Sequence, residues 1–163
     1  EGIYIVHQYL LRAFHDGKDI EARAHMLVAS SMGSTAFQKG LGAIHSLSHP
    51  VGAIYNTHHG LTNAVFMPYV LLKNKDAIKK RIENLTRYIN LSEKNFDGFL
   101  KWILDLRKQL IVPHTLKELI NDDSRFEEMS IMAFNDPSTG GNPIQLTDKD
   151  FFQLYNNSYY GKL

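Results

Sequence analysis

Cysteine is absent from this 163-residue chain. That excludes a disulfide framework, a thiolate metal site and a cysteine nucleophile, and it is compatible with a reducing cytoplasm. No apolar run approaches the roughly 20 residues of a membrane-spanning helix, and the N-terminus lacks the basic-then-apolar layout of a secretory signal. Charge of one sign is lacking too: 18 basic against 17 acidic residues leave +1, so neither nucleic acid nor an anionic membrane is expected as the main partner. Low complexity, internal repeats and two-residue hydrophobic alternation are also missing, and a sheet is therefore not required. The chain starts Glu1-Gly2-Ile3 without an initiator Met and enters a helical pattern at once. This start predicts a cut inside a larger protein.

The apolar residues that are present follow helical spacing. Ile3, Val6, Leu10, Ala13 and Phe14 form one stripe, stopped by His15-Asp16-Gly17-Lys18. Asp19 is the expected N-cap of a second helix reaching about Phe37, whose small residues Ala29, Ser30, Ser31, Gly33 and Ser34 would admit a close neighbour. A third helix is expected from near Leu41, carrying His45 and His49 ahead of Pro50. A fourth runs from His59-Gly60 towards Asn74, with a kink or break at Pro68. Residues 75–90, 96–110, 115–121 and 124–134 read as further helices, 135–143 as a loop, and 148–160 as a final helix capped from Thr147. The fold class is all-α, one domain over residues 1–163.

Four of the eight histidines, His45, His49, His58 and His59, fall within fifteen residues punctuated by Gly42, Pro50, Gly52 and Gly60. His45 and His49 are four apart and share a helix face, while His59 can return to the same place from the next helix. Imidazoles from two adjacent helices suit a divalent transition metal. Satisfied, structural histidines fit the same spacing, and two or three imidazoles need carboxylate or water partners to complete a site.

The segment Gly40-Leu41-Gly42-Ala43-Ile44-His45-Ser46-Leu47-Ser48-His49-Pro50-Val51-Gly52-Ala53, then Tyr55-Asn56-Thr57-His58-His59-Gly60 and Asn63-Ala64, resembles the signature of iron-containing (group III) alcohol dehydrogenases. The resemblance extends through Glu21-Ala22-Arg23, Ala29-Ser30, Ala36-Phe37, Met67-Pro68, Asn74 and Gly140-Gly141-Asn142-Pro143. It implies the helical C-terminal half of a dehydroquinate-synthase-like or iron-type dehydrogenase. It further implies that His45 and His59 bind the catalytic divalent metal, Fe2+ or alternatively Zn2+, and that His49 lies near substrate and nicotinamide as a polar contact or proton relay. His58 is assigned neither role, and Gly42, Gly52 and Gly60 are expected to permit close packing or tight turns. The implied substrate is a small alcohol, aldehyde or ketone, with NAD or NADP as cofactor, cytoplasmic location, and a homodimer as one possible assembly.

Two parts of the family pattern have no counterpart. No aspartate is followed four residues later by a histidine, and no glycine-rich strand–turn–helix is present for a pyrophosphate. Glu21 and His25 have the spacing but fall in the following helix, where a solvated face is expected. The expectation is a C-terminal helical metal-binding domain without its N-terminal nucleotide-binding domain, inactive alone. The alternatives are a non-catalytic helical interaction module and, through His15-Asp16, a helical metal phosphohydrolase.

Overall fold

In a computed structural model describing residues 1–163, the chain forms eight α-helices and three short 3-10 turns, with no strand. The helices are α1 (Gly2–His15), α2 (Ile20–Ala36), α3 (Ala43–Tyr55), α4 (His59–Lys73), α5 (Lys75–Tyr88), α6 (Phe96–Gln109), α7 (Phe126–Phe134) and α8 (Asp148–Tyr160). None is long and apolar enough to cross a membrane.

Short polar residues set most boundaries. Asp19 accepts from the Ala22 amide at 2.9 Å and opens α2, and Asn95 accepts from the Gly98 amide at 2.7 Å and opens α6. Thr147 and Asp150 make a reciprocal capping box on α8, which ends at Gly161 in the left-handed region. Asn56 takes that left-handed conformation at the end of α3, a position its short polar side chain tolerates.

Two expectations are corrected. Of the kink or break expected at Pro68, the break does not occur: helix α4 continues through it, as α3 does through Pro50. Each proline removes one backbone donor, yet both residues are buried, so packing retains the helix. The expected helix over 115–121 shrinks to a single 3-10 turn, Leu116–Glu118, enclosed by its own Thr115–Glu118 capping box.

The main core lies between α3, α4, α7 and α8. Leu47 and Val51 of α3 meet Val65 and Phe66 of α4, Phe126 and Met129 of α7, and Phe151 and Tyr155 of α8. Tyr155 is fully buried, packs on Phe66 and Phe126, and donates its hydroxyl to the Leu47 carbonyl at 2.8 Å. A smaller core joins Ile89 and Leu91 to Phe99 and Ile103 of α6. Helices α1 and α2 form a hairpin outside both, tied by Arg12 to Asp19 and Glu21 and by stacking of Tyr9 on His25.

A three-histidine cluster as the candidate metal centre

The core face of α3 takes Ala43, Leu47 and Val51, one turn apart. This fixes the helix's rotation and leaves His45 and His49 on its flank. Helix α4 buries Thr62, Val65 and Phe66, which turns His59 and Asn63 towards that flank. The two helices and the short connection between them therefore bring together the three histidines singled out by spacing. Ring centres lie 5.3 Å apart for His45 and His59, 5.5 Å for His49 and His59, and 5.9 Å for His45 and His49.

Asn63 sits between the first pair. Its Nδ2 lies 3.0 Å from Nε2 of His59 and 3.4 Å from Nε2 of His45, while its Oδ1 is buried without a partner. Both ring nitrogens thus face one point. Two imidazoles sharing a tetrahedral ion at about 2.0–2.1 Å place their ring centres roughly 5 Å apart, which the His45–His59 spacing matches. Burial lowers the pKa of His45, and repulsion from His59 and His49 acts in the same direction. The neutral ring is the form that can ligate a metal.

The donor set is incomplete. No three His, Asp or Glu side chains converge at liganding distance. The nearest carboxylate, Asp136, points instead at His49, with Oδ2 2.8 Å from Nδ1. Its Oδ1 accepts from the Ser138 amide at 2.8 Å. Burial opposes ionisation of Asp136, but the hydrogen bonds from His49 and Ser138 outweigh it, and the pKa is lowered. Two imidazoles of fitting geometry are present, and a metal held by them would need further ligands from water or from outside residues 1–163.

Other residues singled out by their sequence context have different work. His58 caps α4, its Nδ1 accepting from the Leu61 amide at 3.3 Å. His15 and Asp16 end α1, and Asp16 binds the Lys18 amide at 2.8 Å rather than joining an acidic or imidazole cluster. Glu21 pairs with Arg12, and the His25 ring meets the Glu21 backbone carbonyl, not its carboxylate. The glycine expectation needs revision. Gly52 faces open space and Gly60 only the His58 ring, whereas a Cβ on Gly42 would sit 3.3 Å from Asn142. The tightest approach belongs to Gly141, where a Cβ would lie 1.9 Å from the Leu41 carbonyl oxygen.

Nothing in the sequence singles out Asp136. It lies 87 residues from His49, in a stretch that reads as a loop, and no local spacing connects the two. Asn63 was visible only as part of the resemblance.

Comparison with known proteins agrees with this architecture. The sequence profile described as Fe-containing alcohol dehydrogenase family, C-terminal, matches residues 1–159. The chain is 29% identical to the NADPH-dependent butanol dehydrogenase of Clostridium saccharobutylicum, covering 99% of this chain and 43% of that protein. It is 30% identical to alcohol dehydrogenase 4 of Saccharomyces cerevisiae, covering 98% and 42%. A solved structure of the iron-containing alcohol dehydrogenase from Thermococcus thioreducens superposes with a TM-score of 0.86 at 29% identity, covering 99% of this chain and 43% of that one. The chain spans about two-fifths of the length of the curated relatives it matches. On the strength of the match over residues 1–159, the chain belongs to the Fe-containing alcohol dehydrogenase family and corresponds to its C-terminal, helical part.

Proposed function

We propose that residues 1–163 are the metal-binding helical domain of an NAD(P)-dependent dehydrogenase interconverting small alcohols with aldehydes or ketones. In this reading the domain works in the cytoplasm against a nucleotide-binding domain that these residues do not include, and is inactive alone. The observation that carries it is the meeting of the His45 and His59 Nε2 atoms at the Asn63 amide. A buried carbonyl oxygen without a partner on that same amide, Asn63 Oδ1, marks a polar point that a cation or water would satisfy.

His45 and His59 would hold the divalent metal, and imidazole suits both iron and zinc. When bound, the metal supplies Lewis-acid polarisation of the substrate oxygen, and NAD or NADP supplies the hydride acceptor or donor. The chain's own contribution is orientation. The α3 and α4 backbones fix the two ligating rings. His49, stacked on His59, offers a nitrogen for hydrogen bonding to the substrate hydroxyl and for relaying its proton.

Calorimetric titration of the chain with Fe2+ under anaerobic conditions, and with Zn2+, tests the reading. Binding is expected in the wild type and its loss in a His45→Ala/His59→Ala double variant. Tight binding that survives the double substitution would place the metal elsewhere. Alcohol-dependent reduction of NAD or NADP by the chain alone would refute the inactivity.

A further inference from the structure

We propose that Asp136 is a positioning residue that fixes His49 in the tautomer protonated on Nδ1, leaving Nε2 as a hydrogen-bond acceptor towards the site. The importance of that tautomer for the reaction rests on the proposed function of His49, but the tautomer itself does not.

The support for Asp136 is built into the fold. Pro137 restricts the preceding residue to extended backbone, and Asp136 has φ −68° and ψ 134°. The segment that follows is fastened to α3 at two further points. Thr139 Oγ1 lies 2.8 Å from Ser46 Oγ, and Asn142 Oδ1 accepts from the Ala43 amide at 3.3 Å. Asn142 is itself held by reciprocal 2.9 Å amide bonds with Asn74. The close approach of Gly141 to Leu41 closes the same segment against the start of α3. Asp136 therefore reaches His49 from a fixed platform.

The chemistry of the pair then decides the proton. The Asp136 side chain is only 13% exposed; its Oδ1 accepts from the Ser138 amide and its Oδ2 lies against His49 Nδ1. An ionised carboxylate accepts hydrogen bonds and donates none, so the proton in the 2.8 Å contact belongs to Nδ1. In the neutral ring the lone pair must then reside on Nε2, across the ring from Asp136. An imidazole side chain free in water prefers the opposite tautomer, with Nε2 protonated. Without Asp136, His49 would present a donor where the proposed reaction needs an acceptor for the alcohol proton. Second partners of this kind commonly set which imidazole nitrogen is available.

Imidazole 15N–1H correlation spectra of the histidine-labelled chain, recorded where His49 is neutral and assigned with His49→Gln, read the tautomer directly. The expected wild-type pattern is a protonated Nδ1 and an unprotonated Nε2. Asp136→Ser retains a residue able to cap the 137–141 turn but removes the carboxylate, and should invert the population towards protonated Nε2 while backbone amide shifts of α3 persist. A wild-type His49 protonated on Nε2 overturns the proposal, whether or not the variant folds. So does an unchanged Nδ1 population in a folded Asp136→Ser chain. Failure of metal binding alongside an Nδ1-protonated His49 would overturn metal retention by His45 and His59 in this chain and leave the role of Asp136 standing, and the converse pattern would do the reverse.

Discussion

Helices α3 and α2 are neighbours in sequence but are stabilised in different ways. Six of the thirteen residues of α3 are buried, against two of the seventeen in α2, so α3 is held by the core while α2 is held chiefly by its partner α1. Ile20 and Leu27 of α2 are each 74% exposed. The hairpin's visible ties are the ion pairs of Arg12, about 46% exposed, and a Tyr9–His25 stack. Exposed ion pairs contribute about 0–1 kcal/mol. Where α1 faces α4 and α6, an apolar cavity of about 310 Å3 remains among Ile3, Val6, Leu10, Met67 and Trp102. The contrast shows which part of the molecule can hold a precise site. The three imidazoles stand on helices locked by dense packing, and the hairpin is expected to exchange its amide protons at lower opening free energy than α3 or α8.

The sharpest test of this contrast is Tyr155→Ala. It removes a fully buried ring that packs on Phe66 and Phe126, together with the hydroxyl bonded to the Leu47 carbonyl. Comparable aromatic-to-alanine changes cost about 3–5 kcal/mol. Urea denaturation should show an unfolding free energy lowered by that amount, and a loss below about 1 kcal/mol would mean that the α3–α8 packing is not the support argued here. Gly141→Ala is next. Its new Cβ would fall on the Leu41 carbonyl oxygen, so the 136–142 segment or the start of α3 must move, at a cost of about 1–3 kcal/mol. Gly52→Ala meets nothing within 4 Å. It removes a helix-interior glycine and should stabilise by up to about 1 kcal/mol. Equal effects of the two glycine changes would break the distinction.

Much of this arrangement is legible in the sequence, for local reasons. The 3.6-residue apolar period exposes α1, α2 and α6, and cap residues at Asp19 and Thr147 give the starts of α2 and α8. The gathering of His45, His49 and His59 follows from one helix turn and one short loop. What the sequence does not show is non-local or contextual. Asp136 meets His49 only because α7 packs on α3, and Gly141 is tight only because that packing brings it onto Leu41. Pro68 carries a breaking signal that burial overrides. Thr115 and Glu118 have the capping-box pattern of a helix start, but the pattern closes on a single turn.

Acid titration probes the core side of the comparison more gently. Asp150 of α8 lies 2.6 Å from Lys73 of α4. Lys73 chiefly, helped by the Thr147 amide and hydroxyl and opposed by burial, lowers the Asp150 pKa from 3.8 to about 2. The stabilisation is therefore fully present above the unfolded value near 3.8 and is lost as pH falls through about 2. At neutral pH Asp150→Asn should cost about 1 kcal/mol, a magnitude held down by the partial solvent exposure of the pair. The difference between wild type and variant, followed by denaturation from pH 5 to pH 2, should shrink towards the acid end. A difference that stays constant across that range would show that the charge on Asp150 does not link α4 to α8.

The smallest effect is expected at Leu27, and it is the one most able to overturn the comparison. A leucine that is 74% exposed has little apolar surface left to lose, so Leu27→Ser should change the unfolding free energy by no more than about 0.5 kcal/mol. The same change at Leu47, which is fully buried in α3, would create a cavity and bury a hydroxyl, costing several-fold more. Urea midpoints for the two variants, measured side by side, decide the matter. If Leu27→Ser cost as much as 2 kcal/mol, the α2 surface would have to be covered in solution, and the hairpin would belong with the load that α3 and α4 share rather than outside it.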